Sequence, residues 1–358
     1  MYIYIHIPFC SSICSYCDFP KVLYDKKYIR HYLDSLKQEI IERYQKESVV
    51  SIYIGGGTPT SLEIEELKYL FEIIKIFQIE TKLEFTIESN VECLTKEKIK
   101  LLKQVGVNRV SLGIQSFQEN TLTELHRHHT KEDVFQVVND IKKEGIENIS
   151  IDYIYGVHSQ IEEVKKDIDC FLKLEIPHIS CYSLIIEDGT MFGIQKRNYI
   201  EEDVEEAMYR YIEGVLESKG YTHYEISNYA KTGYESRHNL NYWNNGEYYG
   251  FGMGAVSFLN HYRMTNTKSL TSYIQGNFLL TKKYEDEKER ISNTFMLGLR
   301  KVKGIDIQKF KEIYQQDILN IPSVKELLEE KKLILEDNHL YIPKEYFYLS
   351  NEIMMRFI

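Results

Sequence analysis

Cys10, Cys14 and Cys17 lie on one short stretch, spaced C-x3-C-x2-C, directly after the alternating run Tyr2 to His6. Three thiolates on one loop can neither close a tetrahedral zinc site nor ligate all four irons of a 4Fe-4S cluster. They can hold three irons and leave the fourth open. An open iron on a low-potential cluster is a place to bind and reduce a small molecule. A zinc knuckle would need a further Cys or His close by. None follows within ten residues of Cys17, and His6 lies in the expected strand. Disulfides are disfavoured, because three cysteines are an odd number and no secretory pattern precedes them. Cys93, Cys170 and Cys181 fall within regular elements and read as buried core thiols.

Further polar groups follow at intervals. Gly55-Gly56-Gly57-Thr58-Pro59-Thr60 leads into a helical pattern. Consecutive glycines admit a ligand close to backbone N–H groups, and a helix start favours a carboxylate. The Gly-Lys-Ser/Thr ending of a P-loop is missing. Glu88 follows an apolar run and needs a partner. Gln115 and Asp152 sit in similar runs. In His126-Arg127-His128-His129 a metal site is disfavoured, since adjacent helical side chains diverge. Arg127 is the more useful residue, as a guanidinium for a carboxylate or a ribose. Later, His238-Asn239-Leu240-Asn241-Tyr242-Trp243 precedes a glycine-rich aromatic stretch. His238 beside Tyr242 and Trp243 is a candidate axial ligand and stacking wall for a porphyrin. The plainer reading is a satisfied histidine in a packed edge.

The elements that must position these residues alternate. Apolar, β-branched runs near 3–7, 50–54, 83–88, 108–112, 147–153 and 179–185 read as strands. Helical patterns cover 26–46, 63–76, 95–104, 131–144 and 161–173. Thr60 with Glu63 predicts a capping box for the second of these. Six βα repeats with short loops imply a parallel sheet with right-handed crossovers. A curved, incomplete (β/α)6 barrel of the α/β class fits best, because the polar residues fall at successive strand C-termini. The expected units are 1–190 for this barrel, 191–285 for an aromatic, glycine-rich extension, and 286–358 for a small C-terminal α+β domain. The extension begins with a helix at 200–219, and Tyr221 to Phe258 reads as short strands and loops. The last unit reads as helices at 288–299, 307–314 and 322–331, then a hairpin around Asp337-Asn338, a winged-helix-like order.

Composition narrows the classes. The chain of 358 residues carries 44 basic and 54 acidic side chains, a net charge of −10. That argues against broad nucleic-acid binding, and turns the winged-helix-like part into an interaction or lid module. No apolar run reaches membrane-spanning length. The N-terminus shows no leader pattern, so a reducing, cytoplasmic compartment is expected, which a cysteine-ligated cluster also needs.

The cysteine spacing, with Tyr16 before the last Cys, resembles the radical S-adenosylmethionine (SAM) enzymes. Over nearly its whole length the chain resembles the oxygen-independent coproporphyrinogen III oxidases and their relatives, the haem chaperones of the HemW type. The resemblance rests on Tyr4 to Cys10, Tyr16 to Phe19, Gly55 to Thr60, Gly113 to Phe117, Asp152 to Gly156, Tyr182 to Glu187 and His238 to Trp243. It implies a radical SAM barrel with a 4Fe-4S cluster on Cys10, Cys14 and Cys17. It also implies SAM contacts from Tyr4, the Tyr16 backbone, Gly56, Gly57, Thr58, Glu88, Gln115, Arg127 and Asp152. The oxidases resemble one another in an additional N-terminal segment and in a further Cys two positions after the third cluster Cys. This sequence begins at the strand and has Phe19 there, as in the HemW branch. That branch implies haem as cargo, haem-accepting partner proteins and an electron donor for the cluster, and leaves peripheral membrane contact open. His238 is then the haem candidate. The other reading is the oxidase, a radical decarboxylation of propionates. Val157-His158-Ser159 and Val256 depart from the family pattern, which usually has a Leu-Pro-Gly type turn and, in many relatives, a His at these places.

Overall fold

The structure is a computed structural model that describes residues 1–358. Six parallel strands follow one another in both sequence and space: β1 (Tyr2–Ile7), β2 (Ser48–Gly56), β3 (Gln78–Asn90), β4 (Arg109–Gln115), β5 (Asn148–Tyr155) and β6 (His178–Ser183). Helices Lys26–Arg43, Ile64–Ile74, Lys96–Gln104, Lys131–Lys143 and Ile161–Leu174 connect them. The expected incomplete (β/α)6 order is present. Three further strands extend it: β7 (Thr222–Glu225), β8 (Asn228–Ala230) and β9 (Tyr249–Phe251). The sheet has nine strands in the order β9-β1-β2-β3-β4-β5-β6-β8-β7, with β9 parallel to β1 and the β8-β7 pair antiparallel to β6. The middle of the chain thus widens the barrel wall at both edges.

The helices form where caps and periodicity agree. The Thr130 side chain accepts from Asp133 N, and Asp133 accepts in return from Thr130 N, closing a capping box. In helix 64–74, Leu67, Leu70, Phe71 and Ile74 are buried, as their spacing predicts. Its capping box is formed by Glu63 and Glu66, not by Thr60 and Glu63. Thr60 belongs to a preceding 3-10 turn and bonds Ser89 instead, because Pro59 starts that turn first.

Strand alternation separates two chemistries. On β4, Val110, Leu112 and Ile114 join the core under the helices, while Arg109, Ser111, Gly113 and Gln115 line the interior. Barrels of this kind usually fill their interior with branched apolar side chains. This one is polar, with Tyr53, Glu88, Ser111, Asp152 and Ser180 on neighbouring strands.

The C-terminal part has its own core, from Phe295 to Met354. Strand Ile305–Asp306 pairs with His339–Tyr341, which pairs with Ile334–Glu336. Asp337 and Asn338 both take positive φ, the geometry of a tight hairpin turn. The helix-helix-hairpin order is as expected.

Candidate functional site

One cavity of about 710 Å³ opens at the C-terminal ends of the parallel strands, and Cys10, Cys14 and Cys17 all line it. The cysteine loop is pinned on both sides. Val22 N donates to Pro8 O and Tyr24 N to Cys10 O, each at 2.8 Å. Ser15 Oγ donates to Glu124 O at 2.9 Å, and Phe192 N to Ser15 O at 3.1 Å. All three thiols are unpaired. Burial pushes the Cys10 thiol up to about 12 and raises Cys17 as well. Such thiols ionise when a metal supplies the counter-charge.

The glycine turn after β2 is stitched to this loop. Gly57 N donates to Ile7 O and Thr58 N to Phe9 O, both at 2.8 Å. Gly56 has φ +110°, and a Cβ on it would lie 2.4 Å from the His6 ring. A Cβ on Gly57 would lie 2.7 Å from the Pro8 backbone. Only glycine fits at both positions. Thr58 Oγ1 reaches Cys10 Sγ at 3.8 Å and accepts from Asn90 Nδ2 at 3.1 Å.

The carboxylates and the arginine surround the same space. Glu88 accepts from Tyr53 OH at 2.7 Å and from Gly56 N at 3.0 Å. Burial pushes its carboxyl up to about 7 against those two hydrogen bonds. Burial likewise raises Asp152, which accepts from Ser111 Oγ at 3.3 Å and is held by Ser180. Gln115 takes φ +66° at a register shift between β4 and β5, which brings it onto the cavity wall. Arg127 is buried and donates to Cys14 Sγ at 3.6 Å and to the Gly113 carbonyl; its Nε has no partner. Tyr16 lines the cavity beside Cys14 and Arg127.

Of the residues expected at the site, all but Tyr4 and the haem candidates line this cavity. Tyr4 stands one layer behind. Its hydroxyl meets His6 Nδ1 at 2.9 Å, and His6 Nε2 meets the Pro20 carbonyl at 2.7 Å. Tyr4 thus supports the cysteine loop through His6. Residues not singled out from sequence also line the cavity, among them Tyr53, Asn90, Arg109, Ser111 and Ser180. Their signal was period-two alternation, which places each on the same face as a residue already named. The exposed Phe19 is on the rim, 65% accessible. His126 and His128 are exposed while His129 is buried, and no three His, Cys, Asp or Glu groups converge on a single-ion position. The three thiols therefore border an open space and do not form a mononuclear site.

His238, Tyr242 and Trp243 lie elsewhere. They sit on a short helix, Arg237–Trp243, and not in strand or loop. Ser236 caps it, and the Glu84 carboxylate accepts from Arg237 N and His238 N at 2.9 Å each. His238 is buried, with Nδ1 on Ser51 Oγ and Nε2 on Tyr242 OH, both at 2.9 Å. Burial lowers its pKa to about 3, so it is neutral. Both ring nitrogens are occupied, so His238 offers no lone pair to an iron in this arrangement. The helix packs against β2 and β3 through Ser51 and Glu84, and the ring has the partners that a satisfied histidine would have. Trp243 packs under the Arg300 guanidinium at 5.5 Å.

The donor set fits a cluster and a nucleoside-bearing ligand. Three free thiols, a glycine cradle with no room for a Cβ and an orphaned Arg127 Nε face one space. Comparison with known proteins agrees. Residues 4–171 match the Radical SAM superfamily and residues 286–345 the HemN C-terminal domain. The chain is 38% identical to the heme chaperone HemW of Lactococcus lactis over 99% of its own length and 96% of that protein's. It is 38% identical to the HemW of Bacillus subtilis, over 99% and 98% of the two chains. In fold it is similar to the coproporphyrinogen III oxidase HemN of Escherichia coli, with a TM-score of 0.87 at 21% identity, covering 99% of this chain and 89% of that one.

Proposed function

The chain belongs to the heme chaperone HemW family of the radical SAM superfamily, and from that premise we propose that it binds haem and hands it to acceptor proteins. The observation that carries this reading is near-full-length similarity to proteins of that name. Cys10, Cys14 and Cys17 would hold a 4Fe-4S cluster, and Gly56, Gly57, Thr58, Glu88, Gln115, Arg127, Asp152 and the Tyr16 backbone would contact SAM. When bound and reduced, that pair supplies one-electron cleavage of the sulfonium. The protein's own part is to bind and orient. The glycine turn, whose N–H groups are spent on Glu88, Ile7 and Phe9, fixes the cysteine loop beside the ligand space, the carboxylates accept from the ligand's hydroxyl groups, and Arg127 donates to its anionic end. Tyr4 acts at one remove, through His6. An electron donor for the cluster and a reducing, cytoplasmic setting belong to the same reading; no helix is long and apolar enough to cross a membrane.

His238 could become an iron ligand only if helix 237–243 left its seat on Ser51 and Glu84. The whole-chain likeness to an oxidase fold keeps a second reading in view, radical decarboxylation of porphyrinogen propionates. Cluster-reconstituted protein given SAM, dithionite and coproporphyrinogen III under anaerobic conditions separates the two. No decarboxylation, with saturable haem binding in the same sample, is the expected result. Protoporphyrinogen formed with stoichiometric 5′-deoxyadenosine would overturn the chaperone reading.

A further inference from the structure

The cavity has more wall than the cluster and SAM contacts use. Phe19, Tyr182, Ile185 and Val256 also line it, and none of them belongs to either set of contacts. Ile185 is 64% exposed, close to Phe19, and Tyr182 is exposed as well. Apolar side chains gathered at the mouth of a polar cavity mark a place for an apolar ligand. They come from two sides. Phe19 follows the last of the three loop cysteines. Tyr182 and Ile185 lie at and just beyond the end of β6, in a segment that runs back to the cysteine loop, where Phe192 N donates to Ser15 O.

The charges at the mouth are sorted too. Pro20 and the stem of Lys268 both abut Gly254, which sets Lys268 beside the segment that carries Lys21. Lys21 Nζ donates to the Cys17 and Phe19 carbonyls, and Lys268 is exposed; neither forms an ion pair. The Asp18 carboxylate lies on another side, 3.9 Å from where a Cβ on Gly189 would stand, two residues beyond Glu187. Two cations without carboxylate partners, next to an apolar wall, complement a flat apolar ligand that carries carboxylates along one edge. Haem is such a molecule. No histidine or methionine lines the cavity to take its iron.

We propose that the outer rim of this cavity is the cargo site: Phe19, Tyr182, Ile185 and Val256 meet the haem macrocycle, and Lys21 and Lys268 meet its propionates. Recognition falls on the macrocycle and its carboxylates, not on the iron. This rests on the haem-chaperone reading above and supplies the site that His238 does not.

The test is titration of cluster-reconstituted protein with haem, read as a Soret difference spectrum, and with metal-free protoporphyrin, read by its fluorescence. Iron per chain is matched to the wild type beforehand, so that loss of the cluster is not mistaken for loss of cargo. Ile185→Asp should weaken haem binding about tenfold, through lost apolar contact. Lys268→Glu should weaken it about threefold, and Lys268→Arg should restore it. Metal-free protoporphyrin should bind the wild type within about threefold of haem and weaken in the same variants. Both side chains are exposed, so neither change empties a core. Ile185→Ser replaces the Asp variant if that one fails to fold. Unchanged haem affinity in Ile185→Asp and Lys268→Glu overturns the proposal. An arginine variant that behaves like the glutamate one overturns it too, and so does protoporphyrin that fails to bind where haem binds. A wild type that binds neither porphyrin overturns the chaperone reading itself, and this inference with it.

Discussion

At the scale of single residues, Glu88 holds its carboxyl near neutrality in the ligand-free protein, because burial opposes ionisation more than two hydrogen bonds favour it. A folded pKa of about 7, above the unfolded value, means the folded state binds the extra proton. That contribution to stability is complete below the unfolded pKa and is lost as pH rises through 7. Glu88→Gln cannot ionise. It should therefore melt about 2–4 °C above the wild type at pH 8 and match it at pH 5. Thermal melts of ligand-free protein at the two pH values check this. Equal shifts at both would mean that Glu88 acts by packing and not by charge. The same variant should bind SAM more weakly, so stability and ligand binding pull in opposite directions at this position.

At the scale of elements, the glycine turn and the cysteine loop behave as one piece. Gly57 and Thr58 donate to Ile7 and Phe9, on either side of Pro8, just ahead of Cys10. A Cβ at Gly57 would push against the Pro8 backbone, which has no side-chain freedom to yield. Gly57→Ala should therefore lower iron content after reconstitution as well as SAM affinity, the latter by tenfold or so. Iron per chain and SAM dialysis are the readouts, and full iron content would separate the turn from the loop. Helix 237–243 is an element of a different kind. His238→Ala removes two buried hydrogen bonds and leaves Ser51 and Tyr242 unpaired, a loss of about 2–4 kcal/mol in stability. The folded fraction should still titrate haem with an unchanged Soret response. A weakened Soret response in folded protein would show that this helix moves when haem binds.

At the scale of the whole molecule, two cores meet at a seam. The C-terminal core from Phe295 to Met354 is separate from the barrel core, and Ile226 N donates to Arg300 O across the join at 2.9 Å. Trp243, the chain's one tryptophan, stands at this seam against Arg300. Phe295 is fully buried and stacks on Phe357. Phe295→Ala should cost about 3–5 kcal/mol by leaving a cavity in the smaller core. Trp243 fluorescence should then change at a lower temperature than the cluster absorbance, which reports the barrel. Coincident transitions would show that the two cores melt as one unit.

Much of this was legible in the sequence because it is local. Strands of period two, helices of period 3.6, the cysteine spacing and the glycine run each state their geometry within a few residues, and the hairpin at Asp337-Asn338 is a two-residue signal. The rim residues could be gathered from sequence because a parallel βα repeat puts every strand C-terminus at one end. What sequence left undecided depends on contacts across long separations. Nothing near His238 says that Ser51 will bond its ring and Glu84 its backbone amide. His6 shares the strand face of Tyr4, but nothing near it says that the Pro20 carbonyl will take its ring and set it between Tyr4 and the loop. Nothing near Arg109 says that it will be buried on the cavity wall with its Nε unpartnered. Burial and charge pairing are properties of the assembled interior, and only the tertiary structure, by removing water and choosing neighbours, decides them.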